Sequence, residues 1–227
     1  MDNNGGEVLG EADIIEDMPA RVRFRKGLRT LGALRRNPGD TELALDAAVL
    51  LNGGRLAELV GVFERQPEGR ELLQRRPALD VDHIDLDALA ALPEGTLGRS
   101  YVEFMRARGL TPEVFVPPKH VRDERTRYLS QRLRQTHDLW HVLTGYDTDV
   151  FGEVELQAFM FGQLRTPFSL LVAVLGLRKA KPLTPAIPFK VWKAYQRGRR
   201  AAPLAWRIWE RDFATPVVQL RSALRLD

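Results

Sequence analysis

The chain of 227 residues reads as an all-α protein, a single multi-helix domain arranged around one long central helix. Apolar residues recur at three- and four-residue steps in nearly every segment, and no run alternates with period two for the length of a strand. Short loops marked by proline or glycine separate those segments, and Pro167, Pro182, Pro188, Pro203 and Pro216 each sit near the start of one, where a missing N–H costs a helix nothing.

In chain order, residues 1–20 combine glycine, asparagine and six acids (Asp2, Glu7, Glu11, Asp13, Glu16, Asp17) with no Lys or Arg. That stretch is expected to be a disordered or loosely attached acidic tail, followed by a helical domain over 21–227. Asp40-Thr41 caps a helix over 42–51, which the Asn52-Gly53-Gly54 cluster should end. Further helices are expected near 55–65, 68–75, 86–92 and 97–109, the last closed by Gly109. The long helix runs from about Val121 to Thr144, a turn follows at Gly145-Tyr146-Asp147-Thr148, and a helix returns over 150–164. Segments near 168–179, 187–200, 203–212 and 216–225 complete the chain.

Composition narrows the chemistry. Hydrophobic residues make up 44% and charged residues 28%, ordinary values for a globular domain. With no cysteine, disulfides, thiolate nucleophiles and Cys-ligated zinc are excluded. The longest apolar stretch, Phe168–Leu177, falls short of the roughly 18 residues that a membrane-spanning helix requires. Nothing resembles a signal peptide, and the acidic start is unlike an Arg-rich transit peptide, so a cytoplasmic protein is expected. Residues 160–227 carry thirteen bases against three acids, a face suited to anionic lipid headgroups or simply to solvated helices. No zinc finger or nucleic-acid motif accompanies those bases, and nucleic acid is not an expected partner.

Two of the four histidines, His137 and His141, are spaced i, i+4. At about 100° per residue, Leu129, Leu133, Trp140 and Leu143 form an apolar stripe, with both histidines on its edge and Asp138 just beyond. Two neutral imidazoles and a carboxylate on one face are half of a cage for a divalent metal, zinc or, with this donor set, iron(II). Glu153 is the candidate fourth ligand, because the turn at 145–149 can fold its helix back. Each residue also has a plainer reading: two satisfied core histidines, an Asp138 that only orients a histidine, and a Glu153 that complements a helix dipole. Arg132 and Arg134 would contact substrate or pair with a neighbouring acid. His83 and His120 are isolated and read as surface or packing residues.

The stretch Tyr128–Gln163 resembles the signature of the Coq4 family: Tyr-x-x-Gln-Arg-x-Arg, then His-Asp-x-x-His, eleven residues and Glu. Those positions are Tyr128, Gln131, Arg132, Arg134, His137, Asp138, His141 and Glu153. Gly95–Glu113 resembles the family's Gly-x-Leu-Gly-x-x-Tyr segment, and Pro203–Leu226 its tryptophan, acid and Leu-Arg pattern. Gln157-Ala158 stands where many members have Lys-Trp, and the turn is Gly-Tyr-Asp in place of Gly-Leu-Pro, which suggests a bacterial branch. The resemblance implies a helical fold with a metal, usually zinc, on His137, Asp138, His141 and Glu153, and a cavity for a polyprenyl chain. It also implies peripheral attachment to the inner membrane where ubiquinone is made, association with other ubiquinone-biosynthesis proteins, and oxidative C1 decarboxylation of a polyprenylated 4-hydroxybenzoate. A homodimer is left open. A non-catalytic prenyl-lipid scaffold with a structural metal is the first alternative. An HD-type phosphohydrolase is the second, although it needs a further upstream histidine and a distant aspartate. A zincin protease would need Glu where Asp138 stands.

Overall fold

The protein's structure, a computed structural model, describes residues 9, 13–34, 36–37, 40–112, 118–180 and 184–227. Among the described residues the chain forms eleven α-helices: α1 (Ala20–Leu34), α2 (Thr41–Glu64), α3 (Pro67–Arg75), α4 (Leu86–Ala90), α5 (Leu97–Ala107), α6 (Glu124–Gln135), α7 (His137–Thr144), α8 (Val150–Leu164), α9 (Pro167–Ala180), α10 (Ile187–Arg200) and α11 (Val217–Ala223). Extended pairing among these residues is limited to one antiparallel bridge, Thr96 to Pro216.

The two helices expected on either side of Asn52-Gly53-Gly54 are one, α2. The Asp40 carboxylate caps its start by accepting the Leu43 N–H at 3.0 Å. The glycines serve packing here. A Cβ on Gly53 would lie 2.6 Å from Ile15 Cγ2, so only glycine lets the preceding segment lie this close. Asn52 is buried, and its Oδ1 accepts the Phe168 N–H at 2.9 Å, capping α9 from another helix. Local breaker propensity, worth about 1 kcal/mol per residue, is overridden by these tertiary contacts.

Ile15 belongs to the segment read as a loose tail, yet it is buried with Leu9, Val49, Leu50 and Val121. The Arg122 guanidinium donates to Asp17 at 2.5 Å, and Glu16 accepts the Arg122 N–H at 3.0 Å. Residues 13–20 are therefore part of the packed body, while Asp2, Glu7 and Glu11 lie outside the described residues.

The single long helix expected over 121–144 is broken into α6 and α7 at Thr136. The Thr136 hydroxyl donates to the Arg132 carbonyl at 2.9 Å, competing with the backbone ladder, and its backbone sits at φ −90°, ψ −2°. His137 thus becomes the first residue of a new helix. The helix expected over 203–212 is also absent: only a 3₁₀ turn, Trp209–Arg211, forms there. Gln163 takes over the backbone groups of that region, donating to the Gly198 carbonyl at 2.6 Å and accepting the Leu204 N–H at 3.0 Å. Pro182 lies outside the described residues.

Helix α8 is the centre of the fold. It is apolar around its circumference, with Val154, Leu156, Ala158, Phe159 and Met160 all buried, because α9 and α10 cover one side and α7 the other. The α8–α10 crossing is backbone on backbone: a Cβ on Gly198 would lie 2.2 Å from the Phe159 carbonyl oxygen, and one on Gly162 would lie 2.6 Å from that of Tyr195. Gly198→Ala must push these helices apart, and overpacking of this kind costs about 1–3 kcal/mol. Urea unfolding should show that loss; a change under about 0.5 kcal/mol would refute the close crossing.

Candidate metal centre

Helical spacing sets His137 and His141 side by side, their ring centroids 4.8 Å apart at 76°. Gly145, with φ +77°, terminates α7, and the Asp149 carboxylate starts α8 by accepting the Gly152 N–H at 2.7 Å. Trp140 packs edge-on against Phe159 with centroids 6.1 Å apart, which locks α8 against α7. That docking delivers Glu153 to the histidines: its Oε1 lies 3.1 Å from His141 Nε2, and its Oε2 lies 3.7 Å from His137 Nε2. His137, Asp138 and His141 each offer a ligand atom, all within 4.8 Å of one another. Three of the four residues predicted, His137, Asp138 and His141, form one cluster, and Glu153 approaches it through the two histidines.

The hydrogen bonds orient the ring. His141 is buried, and its Nδ1 lies 2.9 Å from the Tyr146 carbonyl oxygen. A carbonyl can only accept, so Nδ1 carries the proton. In a neutral ring Nε2 then presents a lone pair to Glu153 Oε1, and an ionised carboxylate presents lone pairs in return. Two such atoms at 3.1 Å require a positive charge between them, either a proton or a metal cation. Burial disfavours the imidazolium of His137, but the Asp138 hydrogen bond and the Glu153 and Asp138 charges outweigh it and raise its pKa. The donors gathered here, two imidazoles and two carboxylates, are of the kinds that zinc or iron(II) accepts. Tyr101, buried beside it, has its phenol pushed up by burial and by the Asp138 charge.

Arg132 serves a different purpose. Its side chain is fully buried and makes a two-pronged ion pair with Glu210, both bonds at 2.8 Å. Of the two readings the sequence left, the structure has the ion pair, tying α6 to the Trp209–Arg211 turn. Arg134 instead lines a cavity of about 270 Å³ that also includes His137. His120 bonds the Asp13 carbonyl at 2.8 Å and His83 pairs with Asp80 at 2.5 Å, so neither belongs to the cluster.

Spacing did not reveal the supports. The Tyr146 carbonyl fixes the His141 tautomer, and its only trace in the sequence is the Gly-Tyr-Asp turn. Phe104 stacks on His141 at 5.8 Å, and Arg108 covers Phe104 at 3.9 Å while donating to Asp147 at 2.6 Å, clamping the turn. Arg221 donates to the Leu143 and Val142 carbonyls at 2.9 and 3.0 Å, and Arg197 to that of Thr144 at 2.7 Å. Two cations thereby cap the C-terminus of α7.

A fully helical domain with a two-histidine, two-carboxylate cluster between adjacent helices defines the class of protein. The Coq4 profile, described as coenzyme Q (ubiquinone) biosynthesis protein Coq4, matches residues 36–227, and the chain belongs to that family. The mitochondrial ubiquinone biosynthesis protein COQ4 homologue of Rattus norvegicus is 35% identical over 165 residues, covering 71% of this chain and 62% of that protein. COQ4 of Pyricularia oryzae is 35% identical over 163 residues, 71% of this chain and 54% of its own length. The chain thus spans less than two thirds of the length of these curated relatives. A crystal structure from Nostoc punctiforme, assigned provisionally to ubiquinone biosynthesis, superposes with a TM-score of 0.71 at 28% identity, covering 92% of this chain and 97% of that one.

Glu210→Ala would leave the Arg132 guanidinium buried without its partner, at a cost of about 3–5 kcal/mol. Urea unfolding should show the loss, while the folded variant keeps its full metal-binding capacity. An unchanged stability would refute the structural role of Arg132.

Proposed function

We propose that this chain is a metal-dependent ubiquinone-biosynthesis protein. The site would act on a polyprenylated 4-hydroxybenzoate intermediate by oxidative decarboxylation at C1. The observation that carries this is the approach of Glu153 Oε1 to His141 Nε2, 3.1 Å apart, beside a largely apolar cavity reached by His137. A cation held by His137, Asp138, His141 and Glu153, most simply zinc, with iron(II) as the redox-active option, would supply a Lewis acid to an anionic ring substituent. The residues do the rest: Tyr146 and Phe104 hold His141 in one tautomer and plane, and Asp138 holds the proton of His137 or its orientation. Arg134 lines the same cavity. The prenyl chain would lie against the apolar walls from α2 and α9.

Elemental analysis tests the site. Wild type should bind about one equivalent of zinc, and His141→Ala and Glu153→Ala should each lose most of it. Acidification should also strip metal from the wild type, because protonation of His137 is favoured by its neighbours. Full metal content in both variants would remove the assignment. Turnover separates catalyst from scaffold: the metallated protein should release CO₂ from a short-chain prenylated 4-hydroxybenzoate and add oxygen to the ring. Prenyl binding without turnover would leave the scaffold reading, in which the metal is structural and the protein organises its partner enzymes.

The reading includes peripheral attachment to a membrane. No helix among the described residues is long and apolar enough to cross one. Helix α9 exposes Leu170, Val174 and Leu175, and α10 exposes Phe189 and Trp192 at 60% and 55%. Arg178 and Lys179 end α9, while Lys190 and Lys193 flank the aromatics of α10. Apolar tips between cations suit the interface of an anionic bilayer. Phe189→Glu with Trp192→Glu should abolish co-sedimentation with phosphatidylglycerol-containing vesicles, and binding of the wild type should weaken with salt. A double variant that sediments like the wild type would exclude this face.

A further inference from the structure

Gln157 from α8 lines the cavity beside the metal cluster, together with Ser130, Arg134 and His137 from the α6–α7 side. Gln157 stands apart from the other amides that α8 and its neighbours bury. Asn52 and Gln163 are spent on backbone groups of other elements. Gln157 is only 7% exposed, and its Oε1 is buried with no hydrogen-bond partner in the protein. A buried amide oxygen left unpaired costs about 1–3 kcal/mol. Arg132 Nε, Trp140 Nε1 and Trp209 Nε1 are also buried and unpaired among the described residues, but of these four residues only Gln157 lines this cavity.

Its place in the helix gives the amide a direction. Gln157 follows Glu153 by one helical turn, so the two side chains leave the same face of α8, about 6 Å apart at Cβ. A ligand whose apolar part fills the cavity and whose polar head meets the metal cluster would carry its ring past this amide. The amide offers an acceptor at one end and a donor at the other. A ring hydroxyl, which both donates and accepts, can satisfy it; an ether, a methyl or a bare ring edge cannot satisfy the acceptor.

We infer that Gln157 is the specificity-determining residue of this cavity, selecting ligands whose ring carries a hydroxyl. The inference rests on the prenyl-ligand reading above and adds the group that distinguishes one aromatic head from another. Its test compares 2-geranylphenol with geranylbenzene, which differ only in the hydroxyl, on the wild type and on Gln157→Met. Calorimetry should show the wild type preferring the phenol by about tenfold, and Gln157→Met losing that preference while binding geranylbenzene at least as well. Ligand-free Gln157→Met should unfold at or above the wild-type temperature, because an unpaired amide is replaced by an apolar side chain of similar length.

An unchanged preference for the phenol in Gln157→Met would overturn the inference and leave the prenyl reading intact, as would a marked fall in unfolding temperature. Failure of the wild type to bind either probe would overturn both.

Discussion

The arrangement around His141 depends on one constraint: the Tyr146 carbonyl takes the ring proton on Nδ1, and Nε2 is left directed at the Glu153 carboxylate 3.1 Å away. The constraint is imposed from three directions. Trp140 against Phe159 fixes the helix that carries Glu153. Phe104, itself covered by Arg108, fixes the plane of the ring. Gly145 turns the chain so that the Tyr146 carbonyl points back at the helix just ended. Relaxing any one would let His141 rotate toward an ordinary core histidine, the plainer reading that spacing alone left standing.

The basic C-terminal third looks different once its partners are known. Arg197 and Arg221 end in backbone carbonyls of α7, Arg207 pairs with Asp212 at 2.7 Å, and Arg165 donates to the Tyr195 hydroxyl at 2.7 Å. These cations complete helix ends and loops inside the domain, and the surface keeps less of the charge than the count of bases suggests. What stays outward is concentrated on α9 and α10, where Arg178, Lys179, Lys190 and Lys193 surround exposed apolar side chains. Helix α9 is therefore two-faced: Ala173 is buried and Phe168 and Ser169 line the cavity, while Leu170, Val174 and Leu175 face out. A stretch that reads as uniformly apolar divides its residues between an interior wall and an exposed surface.

The sequence was legible where a local signal and its tertiary use coincide. Asp149 and Gly145 mark the ends of α8 and α7 by cap chemistry that needs no distant partner, and the site follows from an i, i+4 pair and one short turn. It was illegible where a distant residue reverses a local preference. Asn52-Gly53-Gly54 reads as a helix stop, but Ile15 and Phe168 turn it into a packing seam within α2. Thr136 is an unremarkable helix residue until its hydroxyl takes the Arg132 carbonyl. Residues 203–212 have a helical pattern, yet Gln163 and Glu68 capture the Leu204 and Ile208 N–H groups and unwind it. Each reversal needs a partner tens of residues away or a hydroxyl rotamer, and neither leaves a period in the sequence.

Helix α8 concentrates these demands in one element. An apolar helix buried on nearly all sides tolerates few polar residues, since each must find a partner or be costly. Glu153 meets the histidines, Gln163 caps the end of α10, and Glu155, whose pKa burial raises, lies within the field of Lys190 and Arg197. The helix ends on Arg55, whose guanidinium takes the Leu164 carbonyl at 2.8 Å. Among the described residues, Gln157 Oε1 is the one buried side-chain polar atom of this helix without a hydrogen-bond partner, and its residue lines the cavity. A core closed by backbone contact at Gly162 and Gly198 has little freedom to move and supply that bond itself.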